Sequence, residues 1–212
     1  MRFVRRVRQP CKSRFVEMFG DGLFECAKME DVCKIITDGT HQPPKFADKG
    51  VPFLLVSNIR ANEIDYETQK FISESDYRVL NERTPVEIGD VLLSTVGSYG
   101  HPAIVKDSRP FSFQRHIAYL KPDFGKVCSV YIHSVFLSDA VKEQIEKRVK
   151  GIAQKTLNLS EVRKLLIPLP PLALQHEFAA FVAEVDKSKF AVRKRLEKAQ
   201  LLYRAKLQEF FG

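Results

Sequence analysis

Several features are missing from this chain of 212 residues, and each absence removes a class of function. No apolar run is long enough to span a bilayer, which sets the membrane-embedded classes aside. The opening MRFVRRVRQP is basic but has no apolar centre, so it does not read as a secretory signal. The four cysteines, Cys11, Cys26, Cys33 and Cys128, form no CxxC pair and do not cluster with histidine. They read as structural thiols of a protein in a reducing cytoplasm. The signatures of catalysis are missing too. There is no Gly-rich loop leading into Lys-Ser/Thr, no GxSxG elbow and no HExxH helix. The carboxylates are scattered, with no pair placed for general acid–base work. His41, His101 and His116 fall in or beside loops without a metal-ligand spacing. No catalytic residue, metal or cofactor is therefore expected.

Proline and glycine are absent from one long stretch. From Leu172 to Phe211 neither occurs, and most residues are good helix formers. The stretch predicts a helix of about 40 residues, roughly 60 Å long at 1.5 Å per residue. Phe178, Val182, Val185, Lys189, Val192, Leu196, Ala199, Tyr203, Lys206 and Phe210 alternate in steps of three and four, a coiled-coil seam that only the two lysines interrupt. Such a rod outreaches the globular domain the rest of the chain can form. It is expected to pair with a second helix rather than fold back on its own domain. Just upstream, Pro168, Pro170 and Pro171 enforce an extended segment from Ile167. Ser160 is placed to cap a short helix beginning Glu161-Val162-Arg163-Lys164.

Negative charge is also in short supply. With 34 Lys and Arg against 26 Asp and Glu, the net charge is +8, which points to a polyanionic partner, nucleic acid before a membrane surface. The chain also echoes itself. KSRFVEMFG at 12–20 aligns with RAKLQEFFG at 204–212, and both read as the last turns of an amphipathic helix stopped by glycine. The echo divides the chain into a helical segment 1–20, the tail of a spacer helix; a domain 21–171; and the long helix 172–212. Residues 21–212 then look like one unit of a repeating design.

The domain is of mixed α and β character. Strands are expected at Phe24–Lys28, Lys34–Thr37, Val51–Ser57, Val91–Val96, Ala103–Lys106 and Phe113–Leu120, with a helical turn at Met29–Val32. Asp38–Phe46, Asn58–Asn62 and Gly97–His101 read as loops. Ser73 with Asp76 reads as a capping box for a helix through Leu80, and Tyr131–Val149 as one continuous helix. The fold class is α+β: one mixed α/β domain followed by a long C-terminal coiled-coil helix. Its loops are rich in groups that bond base edges and phosphates. The DNA-facing set read from them is Thr40, His41, Lys45, Asn58, Arg60, Ser98, Tyr99, Arg115, His116, Gln154 and Lys155.

KSRFVEMFGD (12–21), DGTHQPPKF (38–46), GVPFLLVSNI (50–59), GDVLLSTVGSYG (89–100), FSFQRHIAYLKP (111–122) and GIAQKTLNLSEVRKLLIPLPPLALQ (151–175), followed by the long helix, resemble the specificity subunit of Type I restriction–modification systems. The resemblance covers nearly the whole chain. It implies a target-recognition domain that reads half of a split DNA sequence, and a spacer helix that docks modification (methyltransferase) subunits. Restriction subunits join through the complex, and the specificity subunit itself performs no catalysis. The usual subunit has two recognition domains and two spacers; this chain resembles a half subunit. It is therefore expected to work as a homodimer through Phe178, Val182, Val185, Val192, Leu196, Ala199, Tyr203 and Phe210, with its two helices antiparallel. A stand-alone DNA-acting enzyme such as a nuclease, or a coiled-coil adaptor, are the competing readings.

Overall fold

The computed structural model describes residues 2–20, 22–151 and 155–211, with side chains described from Pro10 to Phe210. The elements in order are α1 (Arg2–Phe19), β1 (Cys26–Lys28), α2 (Met29–Val32), β2 (Cys33–Asp38), β3 (Val51–Leu54), β4 (Ile59–Arg60), β5 (Glu63–Ile64) and β6 (Phe71–Ile72). They continue with α3 (Glu74–Arg83), β7 (Val91–Ser94), β8 (Pro102–Ile104), β9 (Ser112–Phe113), β10 (Ile117–Pro122), α4 (Ser129–Leu137), α5 (Asp139–Arg148), α6 (Leu159–Arg163), β11 (Leu166–Pro168) and α7 (Leu172–Phe211). The α+β class and the long C-terminal helix are as the sequence implies.

The centre is an antiparallel sheet in the order β2-β10-β7-β8. Successive side chains of a strand point to opposite faces. Val91 and Leu93 of β7, with Ala118 and Leu120 of β10, join the cluster built with α4 and Phe178 of α7. Leu92, Ile117 and Tyr119 join the opposite cluster with Leu54, Phe111 and Phe113. Cover on both faces is why VLLS and IAYL read as continuous apolar runs rather than alternating ones. A smaller sheet, β6-β3-β9, completes the second layer.

The strand pair β1–β11 places Cys26 opposite Pro168 and Lys28 opposite Leu166, so the chain enters the domain beside where it leaves. That pairing sets α1 against the root of α7. Phe15 and Phe19 meet Phe178, Arg14 reaches Glu177 and the ring of Phe181, and Cys11 lies beside Asp186 and Lys189. As the numbers fall along α1 they rise along α7, so the two helices are antiparallel. The long helix thus has a companion in its own chain, which the sequence reading did not foresee: α1 runs beside it from Phe19 at Phe178 to Cys11 at Lys189. Phe178 is buried and Val182 and Val185 are half-buried, whereas every residue from 190 to 210 is exposed.

Local boundaries also differ, for identifiable reasons. The helix expected over Tyr131–Val149 is two helices. Ser138 sits between them in extended conformation (φ −68, ψ 149), and its Oγ accepts from Val141 N, so it caps α5 instead of continuing α4. The strand expected over Phe113–Leu120 breaks at 114–116, where Ile117 N donates to Gln114 O at 3.1 Å and the chain passes from the small sheet to the large one. The strand from Val51 ends at Leu54, and a 3-10 turn over Val56–Asn58 follows. Asn158, not Ser160, occupies the cap position of α6. Ser73 caps α3 as expected, its Oγ accepting from Asp76 N at 3.0 Å, and that helix runs on to Arg83.

Candidate nucleic-acid interface

Four strand ends meet at one end of the central sheet. β2 finishes at Asp38, β10 starts at Ile117, β7 finishes at Ser94 and β8 starts at Pro102. Antiparallel pairing therefore delivers the connections 39–50, 95–101 and 114–116 to the same place. Backbone hydrogen bonds join them side by side. Thr40 N donates to Phe113 O (3.1 Å) and Arg115 N to Thr40 O (3.0 Å). Thr95 N donates to His116 O (3.0 Å), and Gly97 N to Lys155 O (3.2 Å). Gly39 permits the first crossing, because a Cβ there would lie 2.1 Å from Phe113 O. Gly97, at φ +70, permits the turn that carries Ser98 and Tyr99.

Along this row stand Thr40, His41, Arg115, His116, Ser98, Tyr99 and Lys155, so the structure brings seven of the expected residues together. Thr40 Oγ1 donates to Gln42 O at 2.8 Å and holds the loop closed. Tyr99 OH donates to Glu146 at 2.9 Å, and Lys155 lies 3.5 Å from the same hydroxyl, a bond that raises the lysine's pKa and keeps it cationic. Burial first, and the neighbouring Arg115 charge second, push the His116 pKa below its usual value. At neutral pH His116 therefore offers an uncharged ring beside a fixed guanidinium.

Three expected residues stand apart from that row. Lys45 is exposed farther along the 39–50 loop. Arg60 belongs to the β4–β5 hairpin and pairs with Asp65 at 2.6 Å. That hairpin turns through Ala61 and Asn62, both at positive φ, and Asn62 Oδ1 lies 3.1 Å from His101 Nδ1. Asn58 is corrected: it is buried, its Oδ1 accepts from Leu55 N, and its Nδ2 donates to Asp65 O and Glu67 O. Its amide is spent on the loop and has no group left for a base. Gln154 lies outside the described residues.

Two residues that the sequence reading passed over shape the row. Asp38, 12% exposed in its side chain, holds His41 Nε2 on one oxygen (2.9 Å) and Arg83 Nη2 on the other (2.9 Å). Arg83, at the end of α3, is thereby carried to the same sheet end. An Asp-Gly step closing an apolar strand was visible in DGTH; nothing local in the sequence tied Arg83 to it.

The row carries Arg83, Arg115 and Lys155 as full cations and offers hydroxyl, amide and imidazole groups between them. That combination suits phosphates and base edges. Among the described residues no group of three or more His, Cys, Asp or Glu could hold a metal ion, and no helix is long and apolar enough to cross a membrane.

A family model described as "Type I restriction modification DNA specificity domain" matches residues 23–202. The chain is similar to the Type I restriction enzyme EcoBI specificity subunit of Escherichia coli, 25% identical over 161 residues, covering 76% of this chain and 34% of that protein. It is also similar to the Type I restriction enzyme MjaVIII specificity subunit of Methanocaldococcus jannaschii, 24% identical over 183 residues, covering 84% and 42%. The crystal structure of the HsdS subunit from Thermoanaerobacter tengcongensis shares the fold, with a TM-score of 0.57 at 18% identity over 92% of this chain and 46% of that one. A chain from a study of complex assembly in the type I R-M system also shares it, with a TM-score of 0.60 at 18% identity over 99% and 50%. This chain thus spans half or less of the length of each of these proteins.

Proposed function

The chain belongs to the Type I restriction–modification DNA specificity family, and from that premise we propose that it is a non-catalytic reading unit, which directs methyltransferase and restriction subunits to a bipartite site on double-stranded DNA in the cytoplasm. The observation that carries the reading is the sheet end itself: three connections bonded edge to edge, with Arg83, Arg115 and Lys155 among hydroxyl and imidazole groups. Residues 21–171 recognise one half-site, and residues 172–212 form the spacer through which a second copy is joined. Thr40, His41, Ser98, Tyr99, Arg115, His116 and Lys155 face the DNA, with Lys45 and Arg60 at the flanks. Phosphate contacts set the register and base-edge contacts supply the sequence preference.

The two copies pair antiparallel, and α1 sets how far they overlap. Phe178 is buried and Val182 and Val185 are half-buried, while Val192, Leu196, Ala199, Tyr203 and Phe210 are exposed and available to the partner. Two-fold symmetry repeats the same reading surface at each end, so the target is an interrupted inverted repeat.

Selection from a random duplex library tests this. Enriched sequences should contain two inverted half-sites at a fixed gap, and the chain alone should neither cut nor methylate them with Mg²⁺ or S-adenosylmethionine. Enrichment without a repeat would overturn the two-copy reading. Cleavage or methylation by the chain alone would overturn the non-catalytic one.

A further inference from the structure

A carboxylate at the edge of a surface meant for DNA needs an explanation, because it repels phosphate. Asp38 is such a group. It ends β2, and both of its oxygens are taken: Arg83 Nη2 donates to Oδ1 and His41 Nε2 meets Oδ2, each at 2.9 Å. The Asp38 side chain is 12% exposed, whereas the two side chains it holds are each 55% exposed. Asp38 therefore stays under the surface, and the groups it holds stand at it.

Both ends of the Asp38–Arg83 bridge are anchored. Asp38 pairs with Ala118 of the central strand β10, and Gly39 N donates to Ile117 O at 3.3 Å. Arg83 closes α3, which Ser73 caps at its start and which packs Tyr77 and Leu80 against Val51, Phe53 and Ile72. The next residue locks the helix end: Thr84 N and Oγ1 both donate to Leu80 O, at 3.3 and 3.2 Å. The guanidinium is thus held in one pose before any ligand arrives. Its bond to Asp38 uses Nη2, and among the described residues Arg83 has no other hydrogen bond or ion pair. Nη1 and Nε remain as donors. A planar fork already fixed by one carboxylate gives up less freedom when it meets a second planar partner. Guanine offers such a partner, with the N7 and O6 acceptors side by side in the major groove.

We propose that Arg83 reads a guanine edge and that Asp38 is its positioning residue, acting on base preference without touching DNA. The inference rests on the DNA-reading role given under Proposed function and names one base contact within it. It also accounts for the sign of the charge. Asp38 weakens the attraction of the row for phosphates and in exchange fixes the direction of one donor set. Removal of Asp38 and removal of Arg83 should then act alike on one base position and oppositely on non-specific binding.

The test uses the full chain, the duplex it enriches from a random library and an unrelated duplex, read by fluorescence anisotropy. In the parent, 7-deazaguanine, which lacks the N7 acceptor, should at one guanine reduce affinity about tenfold or more. That penalty should fall below about twofold in Arg83→Ala and in Asp38→Ala, and the double variant should match Arg83→Ala alone, as expected for two residues acting as one unit. Asp38→Asn keeps an acceptor for Arg83 and should retain most of the penalty. On the unrelated duplex, affinity should hold or rise in Asp38→Ala and fall in Arg83→Ala. A penalty that survives Arg83→Ala, an equal weakening of both duplexes by Asp38→Ala, or an Asp38→Asn variant no better than Asp38→Ala would each overturn the proposal. If Asp38→Ala does not fold by circular dichroism, Arg83→Ala and Asp38→Asn still decide. A parent chain without preference at any position would overturn the reading role itself, whereas the other adverse outcomes leave that role standing.

Discussion

Gln175 should be the most costly polar residue to replace in this chain. Its side chain has no solvent exposure. Its Nε2 donates to Lys126 O (2.9 Å) and Pro170 O (2.8 Å), and its Oε1 accepts from Cys128 N (3.0 Å). One amide thus ties the proline segment, the approach to α4 and the first turn of α7. Gln175→Leu keeps the approximate volume and removes all three bonds. At roughly 1 kcal/mol net for each of the three hydrogen bonds, plus about 1–3 kcal/mol for the orphaned Cys128 N–H, the loss is about 4–6 kcal/mol. That is a large share of the roughly 5–15 kcal/mol that holds a typical domain folded. For a chain of this size it lowers the melting temperature by about 10–20 °C. Gln175→Glu should be worse, because a buried carboxylate would then face two carbonyl oxygens with a single donor. Urea denaturation followed by circular dichroism measures both. A loss under about 1 kcal/mol for the leucine variant would show that the clasp is replaceable and refute the argument.

Leu196, 47% exposed and without an intrachain seat, should tolerate Leu196→Glu within about 0.5 kcal/mol of folding stability, yet give monomers by light scattering and weak DNA binding. Arg115→Ala should cost about 1–3 kcal/mol on a cognate duplex and relax preference at one base position, whereas Lys45→Ala should weaken all sequences alike and flatten the salt dependence, both read by fluorescence anisotropy. Asp90 is fully buried, with Oδ1 unpartnered; burial raises its pKa above 3.8 against the opposing bonds from Glu87 N, Tyr119 and Lys121. A carboxyl raised on folding binds more protons in the native state, so its contribution is complete below 3.8 and is lost as pH rises through the folded value. Asp90→Asn should therefore be more stable than the parent at pH 7 and lose that advantage near pH 3.5, as thermal melts across that range would show.

How much of this was legible in the sequence depended on whether the deciding interaction was local. The long helix, the cap at Ser73 and the apolar strands VLLS and IAYL are set by propensity, proline placement and periodicity, and each lies near where those signals put it. Ser138 carried a local signal that was outweighed by the apolar spacing running across it. The companionship of α1 and α7 was not legible, because it depends on β1 pairing with β11 across more than a hundred residues of chain. The same limit applies to the candidate interface. Glycine-rich loops marked Thr40, Ser98 and Tyr99, but Arg83 reaches them only through Asp38, and Asn58 looked like a surface amide until Asp65 and Glu67 folded back over it.

These long-range links bear on how such a unit can measure distance on DNA. The loops proposed to read DNA spring directly from β2, β7 and β10, strands with few exposed residues. One face of those strands packs into the cluster containing Tyr131 and Phe178, and Phe178 belongs to α7. Gln175, one turn earlier, bonds the same helix to the backbone at Lys126 and Cys128. The path from a side chain of the proposed reading surface to the rod therefore runs through buried contacts and contains no irregular linker among the described residues. Interiors packed at that density shift between discrete arrangements rather than bending smoothly. A gap between half-sites fixed to a single base pair requires that property, since one base pair is a displacement of about 3.4 Å. A loosened root, as in Gln175→Leu at a temperature where the domain stays folded, should then broaden the range of gaps accepted before it reduces affinity for the best one.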